Sequence, residues 1–434
     1  MSEGWTSVNE IASKPNAQPM DSFGTLEDLD CRGRRVLVRV EPHVVEQLDE
    51  PVAMPPPPAP MGSEPLAAPA PATPPPATST LRRLLQLEAR LVVATHLTPE
   101  TRAETGLDGV EALAARLSEQ LGVEVLLPDE CVGDAAQRVI QDLRQGQLCV
   151  LPDLSLVRGE GEQRNDEAFA RALASSVDAY VFDAFSVSHL ELASTVKLPR
   201  LLPRRALGLR CRRELSALSE LFASSRGSVG LALGGRSFAE KIDTLTEWLP
   251  RVDRLCLGGA MALTVLAAAG RAPAEACSEP ERLAQARSLL SRARDLGVKL
   301  ELPVDFRVQL EGDRGSLIKA PGDLRPKARI LDVGPDSITR FCELLGKARH
   351  ILWWGPLGHL RHPEGSGASR ELATLCARPE IESVVLGGDT RAFVRQLPPE
   401  IGQGINLLGT GSGAARALLG GRRLPGVEAV RLRR

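Results

Sequence analysis

Aromatic residues are scarce in this chain, at 3% of its 434 residues, and this scarcity by itself indicates no particular function. An excess of one charge sign is also absent. The 53 basic and 55 acidic residues give a net charge of −2, and no basic block stands out except the short arginine-rich end. Proteins that bind nucleic acid need a concentration of positive charge, so we expect no nucleic-acid partner.

Paired cysteines and targeting signals are missing as well. The eight cysteines have no CxxC spacing, which argues against a zinc site and for a reduced protein. The N-terminus lacks the basic and apolar pattern of a signal peptide, and no segment suggests a membrane. We therefore expect a cytoplasmic protein without a membrane partner.

The length of the chain exceeds what one hydrophobic core usually serves, so two domains are expected. Hydrophobic residues at 43% and charged residues at 25% are ordinary for a globular protein. Residues 1–19 are polar and lack periodicity, which predicts a disordered extension.

Residues 51–78 differ sharply from the rest of the chain, since they hold twelve prolines. Proline has no amide hydrogen to donate, so this insert is expected to be extended or disordered. We interpret it as a tolerated surface insertion. The alternative is a contact for a protein partner that recognises proline-rich segments.

One segment organises the rest of the chain. The apolar run Ala179–Phe182 follows an amphipathic stretch and ends in Asp183 and a string of small and polar residues. This pattern predicts a buried parallel strand whose carboxyl end opens into a loop. Ligands bind at that end of the strands in open α/β sheets, so we expect a ligand site at this loop.

The residues after this strand resemble a known family. Asp183-Ala-Phe, His189 and Ala193-Ser-Thr resemble the phosphoglycerate kinase loop Asp-Ala-Phe-Gly-x-Ala-His-Arg-Ala-His-Ala-Ser-Thr. The resemblance runs from about residue 20 to 430, apart from the proline-rich insert. It implies an α/β fold of two doubly wound parallel-sheet (Rossmann-like) domains joined by a hinge helix. It also implies a monomeric, cytoplasmic enzyme of glycolysis that transfers a phosphoryl group between ATP and 3-phosphoglycerate.

The same resemblance implies a division of the chain. It places a substrate domain at residues 20–205, an interdomain helix at 206–225, a nucleotide-binding domain at 226–415 and a return segment at 416–434. Strands that alternate with helices through the C-terminal half separately favour a second parallel sheet. Within the substrate domain, Asn165 is expected to cap a helix that runs to about Ser175.

The substrate loops keep the frame of the family. Glu41 and His43 follow the first strand, where the family has an aspartate and an asparagine that hold the acid. His96 ends the second strand, Ser155 lies after a later strand, and His189 lies in the loop that carries the resemblance. The resemblance assigns these five residues to the phosphorylated acid.

The charge of these loops departs from the family. Leu190, Ser155 and Pro99 stand where the family has substrate-binding arginines, and a fourth arginine would fall near Thr73, inside the prolines. The second histidine of the loop is Leu192. One charge-assisted hydrogen bond contributes about 1.5–3 kcal/mol, so the four would sum to about 6–12 kcal/mol if they were additive. At about 1.4 kcal/mol per tenfold, half of that sum would remove a micromolar to millimolar affinity.

The three histidines do not replace this charge, because histidine is mostly neutral at pH 7 unless a carboxylate raises its pKa. We interpret them as hydrogen-bonding residues and not as a metal site. Arg82, Arg83 and Arg158 lie near these loops in sequence and offer an alternative, a displaced anion site.

The C-terminal half keeps more of the family pattern. Its glycine turns resemble those that let a nucleotide approach the backbone, and Asp389 is placed to hold magnesium. The resemblance assigns Lys241, Gly388 and Gly411 to phosphoryl transfer. The residues that it assigns to ATP or ADP with Mg²⁺ are Gly234, Gly235, Lys241, Gly258, Gly259, Gly355, Pro356, Gly387, Gly388, Asp389 and Thr390.

Three departures weaken this nucleotide site. Ser237 replaces the first of two family lysines, with Arg236 one position away. Trp354 replaces an asparagine, and Arg361 replaces the glutamate that meets the ribose. The sequence thus predicts a phosphoglycerate kinase homologue with weak or lost activity. The alternatives are a kinase for another acid with a relocated basic site, and a scaffold or interaction protein that binds through the insert.

Overall fold

A computed structural model of the protein describes residues 20–43, 80–99, 102, 106–156, 162–223, 228–277, 279–309, 315–326 and 328–432. The predicted extension at 1–19, the proline-rich insert at 51–78 and Arg158 lie outside the described residues. None of the described helices is long and apolar enough to cross a membrane.

The first sheet has six strands in the order β3-β4-β2-β1-β5-β6, and every neighbouring pair is parallel. Its central strands are short and almost wholly buried, because helices cover both faces of such a sheet. The strands are β1 (Arg35–Val40), β2 (Arg90–Ala94), β3 (Glu124–Leu126), β4 (Gln147–Val150), β5 (Ala179–Asp183) and β6 (Arg205–Leu207).

The second sheet also has six parallel strands, in the order β15-β14-β13-β7-β8-β9. Three further strands, β10 (Phe306–Gln309), β11 (Leu317–Lys319) and β12 (Arg329–Val333), form a small antiparallel sheet. The strands of the second sheet are β7 (Val229–Leu233), β8 (Arg254–Leu257), β9 (Lys299–Glu301), β13 (His350–Trp354), β14 (Glu382–Leu386) and β15 (Leu407–Leu408).

Helices alternate with the strands. In the N-terminal lobe, which we define as the first sheet with its helices, they are Thr80–Gln86, Val110–Leu121, Asp134–Asp142, Glu167–Ser175 and Leu198–Leu201. The helix Leu209–Ala223 follows β6 and leads to β7. In the C-terminal lobe, defined as the second sheet with its helices, they are Ala239–Trp248, Met261–Ala268, Leu283–Asp295, Pro335–Leu345, Gly367–Cys376, Gly388–Arg395, Pro399–Gly404 and Ser412–Leu419.

The end of the chain returns to the N-terminal lobe. After the helix Pro425–Ala429, Arg431 forms a β-bridge with Phe23, and the amide of Gly426 donates to the carbonyl of Ser188 at 2.9 Å. The two parallel-sheet α/β units therefore share one chain that crosses between them twice, and the predicted fold class is confirmed.

Two local predictions fared differently. The strand predicted at Ala179–Phe182 is confirmed as β5, with every residue buried. The cap predicted at Asn165 is wrong, because Asp166 caps the helix by accepting from the amide of Phe169 at 2.7 Å. Asn165 instead has a left-handed backbone with φ of 52°, a conformation that asparagine tolerates better than most residues.

The glycine turns of the C-terminal lobe pack backbone against backbone. A Cβ atom on Gly234 would overlap the carbonyl oxygen of Pro356, and one on Gly259 would overlap the backbone of Gly235. Backbone atoms cannot rotate out of the way as a flexible side chain can. These glycines are therefore needed for the approach of β7, β8 and β13 at their carboxyl ends.

We predict that Gly234→Ala lowers the free energy of unfolding by about 1–3 kcal/mol, since overpacking a rigid contact forces the backbone apart. Gly322→Ala is the matched control, because a Cβ atom at Gly322 would meet nothing within 4 Å. Urea unfolding of both variants tests this. Equal stabilities for the two variants would contradict the close approach.

Candidate functional site

The carboxyl ends of β1 and β2 bring Arg39 and His96 together. Arg39 is fully buried, and its guanidinium donates to Nδ1 of His96 at 2.8 Å and to Oγ of Ser194 at 3.0 Å. Ser194 in turn donates to the buried carboxylate of Glu162 at 2.5 Å. Because a buried guanidinium requires a partner of opposite charge, Glu162 is the group that stabilises Arg39 here.

This arrangement keeps His96 neutral. Burial and the neighbouring Arg39 guanidinium lower the pKa of His96 to about 3. Its Nδ1 atom accepts from Arg39, so the proton of the neutral ring is on Nε2. His96 can offer a hydrogen bond to a ligand, but it brings no positive charge.

Glu41 belongs to a buried cluster between the lobes. Its carboxylate accepts from the amide of Ser186 at 2.6 Å. Burial alone would raise the pKa of Glu41, but Arg210 and hydrogen bonds from Thr410 and Ser186 hold this pKa below its usual value.

The same cluster includes Glu214 of the connecting helix. Its carboxylate accepts from Nε of Arg210 at 2.9 Å and from the hydroxyl of Thr410 at 2.7 Å. Burial raises the pKa of Glu214, which Arg210 opposes. Thr410 follows β15, so this cluster ties the C-terminal lobe to the connecting helix.

His43 makes a second link between the lobes. Its Nε2 atom accepts from the guanidinium of Arg391 at 2.7 Å, and each of the two side chains is only 3% exposed. His43 follows β1, whereas Arg391 lies in the first turn of the helix Gly388–Arg395. The contact therefore spans the cleft between the substrate loop and the predicted phosphate turn.

His189 and Gly411 also lie where the lobes touch. A Cβ atom on Gly413 would lie 2.8 Å from the ring of His189, and one on Gly411 would lie 2.6 Å from Cα of Ser186. Burial lowers the pKa of His189, so this ring too is mostly neutral at pH 7. The helix Ser412–Leu419 thus begins against the substrate loop.

Ser155 and the displaced arginines contribute little charge to the cleft. The hydroxyl of Ser155 donates to Asp153 at 2.7 Å. Arg82 donates to the carbonyl of Gln120 at 2.8 Å, and Arg83 donates to Glu27 at 3.0 Å. These contacts engage Arg82 and Arg83 within the N-terminal lobe.

The resemblance assigns the turn after β14 to a phosphate, and this turn opens a helix. Gly387 has φ of 102°, a conformation that favours glycine, and the helix begins at Gly388. Asp389 is exposed and Thr390 is buried in the first turn. Free amides at the start of a helix attract anions, and an exposed carboxylate beside them suits Mg²⁺ bound to a phosphate.

Lys241, in contrast, points into the protein. Its ammonium donates to the carbonyls of Gly234 and Trp354, the latter at 3.4 Å, and lies beneath Gly235 and Gly355. Burial lowers the pKa of Lys241 to about 8.

Arg236 and Ser237 lie just before the helix that carries Lys241. Ser237, in place of the missing lysine, accepts from the amide of Glu240 at 3.3 Å, and Arg236 is exposed. Gly258, Gly259 and Pro356 line the same turns. The glycine turns leave the backbone open to a nucleotide, whereas Lys241, which the resemblance assigns to the phosphates, donates to backbone carbonyls.

Comparison with known proteins agrees with this architecture. The family model described as phosphoglycerate kinase matches residues 76–422. The chain belongs to the phosphoglycerate kinase family. It is 33% identical to the phosphoglycerate kinase of Anaeromyxobacter sp. (strain K) over 93% of this chain and 98% of that one. It is 32% identical to the cytosolic phosphoglycerate kinase of Triticum aestivum over 94% of this chain and 98% of that protein.

Solved structures show the same fold. The phosphoglycerate kinase from Pyrococcus horikoshii OT3 matches with a TM-score of 0.74 at 24% identity, over 94% of this chain and 98% of that one. The phosphoglycerate kinase from Coxiella burnetii matches with a TM-score of 0.72 at the same 24% identity, again over 94% and 98% of the two chains.

Sequence reasoning missed the residues that partner the histidines. Arg39 lies inside the apolar strand β1 and was not singled out. An arginine within a buried apolar run does indicate a partner of opposite charge. Arg391 directly follows the recognised Gly-Gly-Asp-Thr turn of this phosphoglycerate kinase homologue, so its position pointed to the cleft. Nothing in the sequence indicated that it would meet His43.

The pH dependence of the free energy of unfolding should reveal the lowered pKa of His96. Its pKa is lower in the folded protein than in the unfolded chain, so the unfolded chain takes up the proton first as the pH falls. The contribution of neutral His96 is therefore present above about pH 6.5 and is lost as the pH falls toward 3. His96→Gln keeps an acceptor for Arg39 but does not titrate. We predict that the stability advantage of the wild type over this variant shrinks between pH 7 and pH 4 in urea unfolding, whereas a constant difference would contradict the assignment.

The contact between His43 and Arg391 should be measurable as a coupling energy. We predict that His43→Asn and Arg391→Met, combined in a double-mutant cycle, show a coupling of about 1 kcal/mol in urea unfolding at pH 8. The control cycle pairs His43→Asn with Arg395→Met, because Arg395 is exposed in the last turn of the same helix. Additive effects in the first cycle would show that the contact does not stabilise the protein.

Proposed function

We propose that this chain is a phosphoglycerate kinase homologue in which phosphoryl transfer between ATP and 3-phosphoglycerate is weak or lost. The observation that carries the proposal is that three buried cations around the cleft are engaged within the protein. Arg39 contacts His96, Arg391 contacts His43, and Lys241 contacts backbone carbonyls. Each group would have to give up such a contact before it could bind a phosphate.

The reaction depends strongly on these charges. In phosphoryl transfer the protein does little covalent chemistry. Catalysis comes from the positioning of the reactants and from neutralisation of their negative charge. Loss of a cation that stabilises the transferring group costs about 10³–10⁵ in rate. Ser237 stands in the place of such a cation, and its hydroxyl accepts from the amide of Glu240 instead.

The acid site supports the same proposal. The residues that replace its arginines are uncharged, and Leu190 is exposed, with 41% of its surface accessible. An apolar side chain in that place offers nothing to a phosphate or a carboxylate. His96 is neutral and brings no positive charge to the described part of these loops.

A coupled assay with 3-phosphoglycerate and MgATP tests the proposal, with the cytosolic wheat enzyme assayed in parallel. We predict a turnover at least about 10³-fold below that enzyme. Turnover in the ordinary range would refute the proposal.

The double variant Leu190→Arg with Ser155→Arg restores two cations. It should bind 3-phosphoglycerate more tightly than the wild type by calorimetry. Leu190→Gln with Ser155→Gln is the uncharged control, and it should show no gain.

A further inference from the structure

We propose that the indole of Trp354 fills the space of the phosphate chain and holds the nucleotide site shut, so that this one side chain limits the binding of a nucleoside diphosphate. The inference rests on the proposed function, since it explains in structural terms why the C-terminal lobe, which keeps its glycine turns, would bind nucleotide weakly.

The position of Trp354 is fixed by the sheet. It is the last residue of β13, and its register partners are Leu233 at the end of β7 and Leu386 at the end of β14. The next residues on those two strands are the glycine turns Gly234–Gly235 and Gly387–Gly388. A side chain at this place lies between the two turns that the family uses for phosphates.

The contacts of the ring agree with this placement. A Cβ atom on Gly387 would lie 3.8 Å from Cδ1 of Trp354. The ring centroid is 5.4 Å from that of Trp248, and the guanidinium of Arg416 lies 5.9 Å from it. Arg416 belongs to the helix that starts just after Gly411, so the indole contacts the turn after β14 and the helix Ser412–Leu419. Only 8% of Trp354 is exposed, which shows that it is packed between these elements.

The same ring accounts for the direction of Lys241. The ammonium lies 4.7 Å from the centroid of Trp354, a distance at which the face of an aromatic ring attracts a cation. It also donates to the main-chain carbonyl of Trp354 at 3.4 Å. Trp354 thus occupies the space of the phosphate chain. It also contacts the ammonium of Lys241, which would otherwise bind a phosphate.

One polar group in the turn is left without a partner. The hydroxyl of Thr390 is buried, and its oxygen has no hydrogen bond among the described residues. A buried hydroxyl is costly to leave unpaired, so an unpaired one in a native protein calls for an explanation, and a bound ion is one such explanation. Thr390 lies in the same turn as Gly387, beside the indole of Trp354. This supports a phosphate-binding position whose space the indole occupies.

The test is a calorimetric titration of the full chain with MgADP and, separately, with adenosine. We expect Trp354→Asn, which installs the residue of the family, to bind MgADP at least about tenfold more tightly than the wild type. Adenosine affinity should stay unchanged, because the resemblance places the adenine beside Gly258 and Gly259, after β8, and not at the end of β13 where Trp354 lies. Trp354→Phe is the matched control that keeps a ring in place, and it should show no gain.

A second substitution tests the role of the lysine. In the Trp354→Asn background, Lys241→Met should remove most of the gain for MgADP and leave adenosine binding as it was. Trp354→Ala serves as an independent variant if Trp354→Asn fails to fold, as judged by circular dichroism.

Unchanged MgADP affinity in folded Trp354→Asn or Trp354→Ala would overturn the inference, as would equal gains for MgADP and adenosine. These outcomes are separate from the fate of the proposed function. That function fails if the wild type turns over at an ordinary rate, whereas this inference fails if opening the site does not improve binding.

Discussion

The free-energy cost of burying a positive charge determines the contacts of the cations in the cleft of this protein. Arg39, Arg391 and Lys241 are each nine-tenths buried or more, so each must find acceptors inside the protein or in a ligand. In this chain the protein supplies them: a neutral histidine with a carboxylate behind it, a second histidine across the cleft, and backbone carbonyls beneath an indole. Under the proposed function, cations that are satisfied in this way are less available to an anionic substrate.

The two lobes differ in how they meet the cost of burying positive charge. In the N-terminal lobe, Leu190, Ser155 and Pro99 stand where the resemblance expects arginines, and Arg39 donates to His96. In the C-terminal lobe the backbone that a phosphate would approach is intact, since Gly387 retains its left-handed conformation and the helix opens at Gly388. There the obstacle is a side chain and not the loss of the site.

Buried polar contacts also join the two lobes to each other. The cluster of Glu41, Arg210, Glu214 and Thr410 joins them near the connecting helix, and His43 with Arg391 joins them across the cleft. Hinge motion in a two-lobed enzyme requires such contacts to open and close. Buried ion pairs and hydrogen bonds hold one arrangement, because separation would leave each partner unpaired in the interior.

The sequence by itself determined the fold and the family, because buried strands, glycine turns and the order of elements are local patterns that survive substitution. It also located the substituted positions, such as Leu190, Ser237 and Trp354, because each stands inside a recognised motif. Only the tertiary structure decided what the remaining cations do. Arg391 and His43 are 348 positions apart in the chain, and the direction of Lys241 depends on an indole more than a hundred residues away. Local patterns do not encode such contacts, since they arise when two separately formed sheets pack their carboxyl ends against each other.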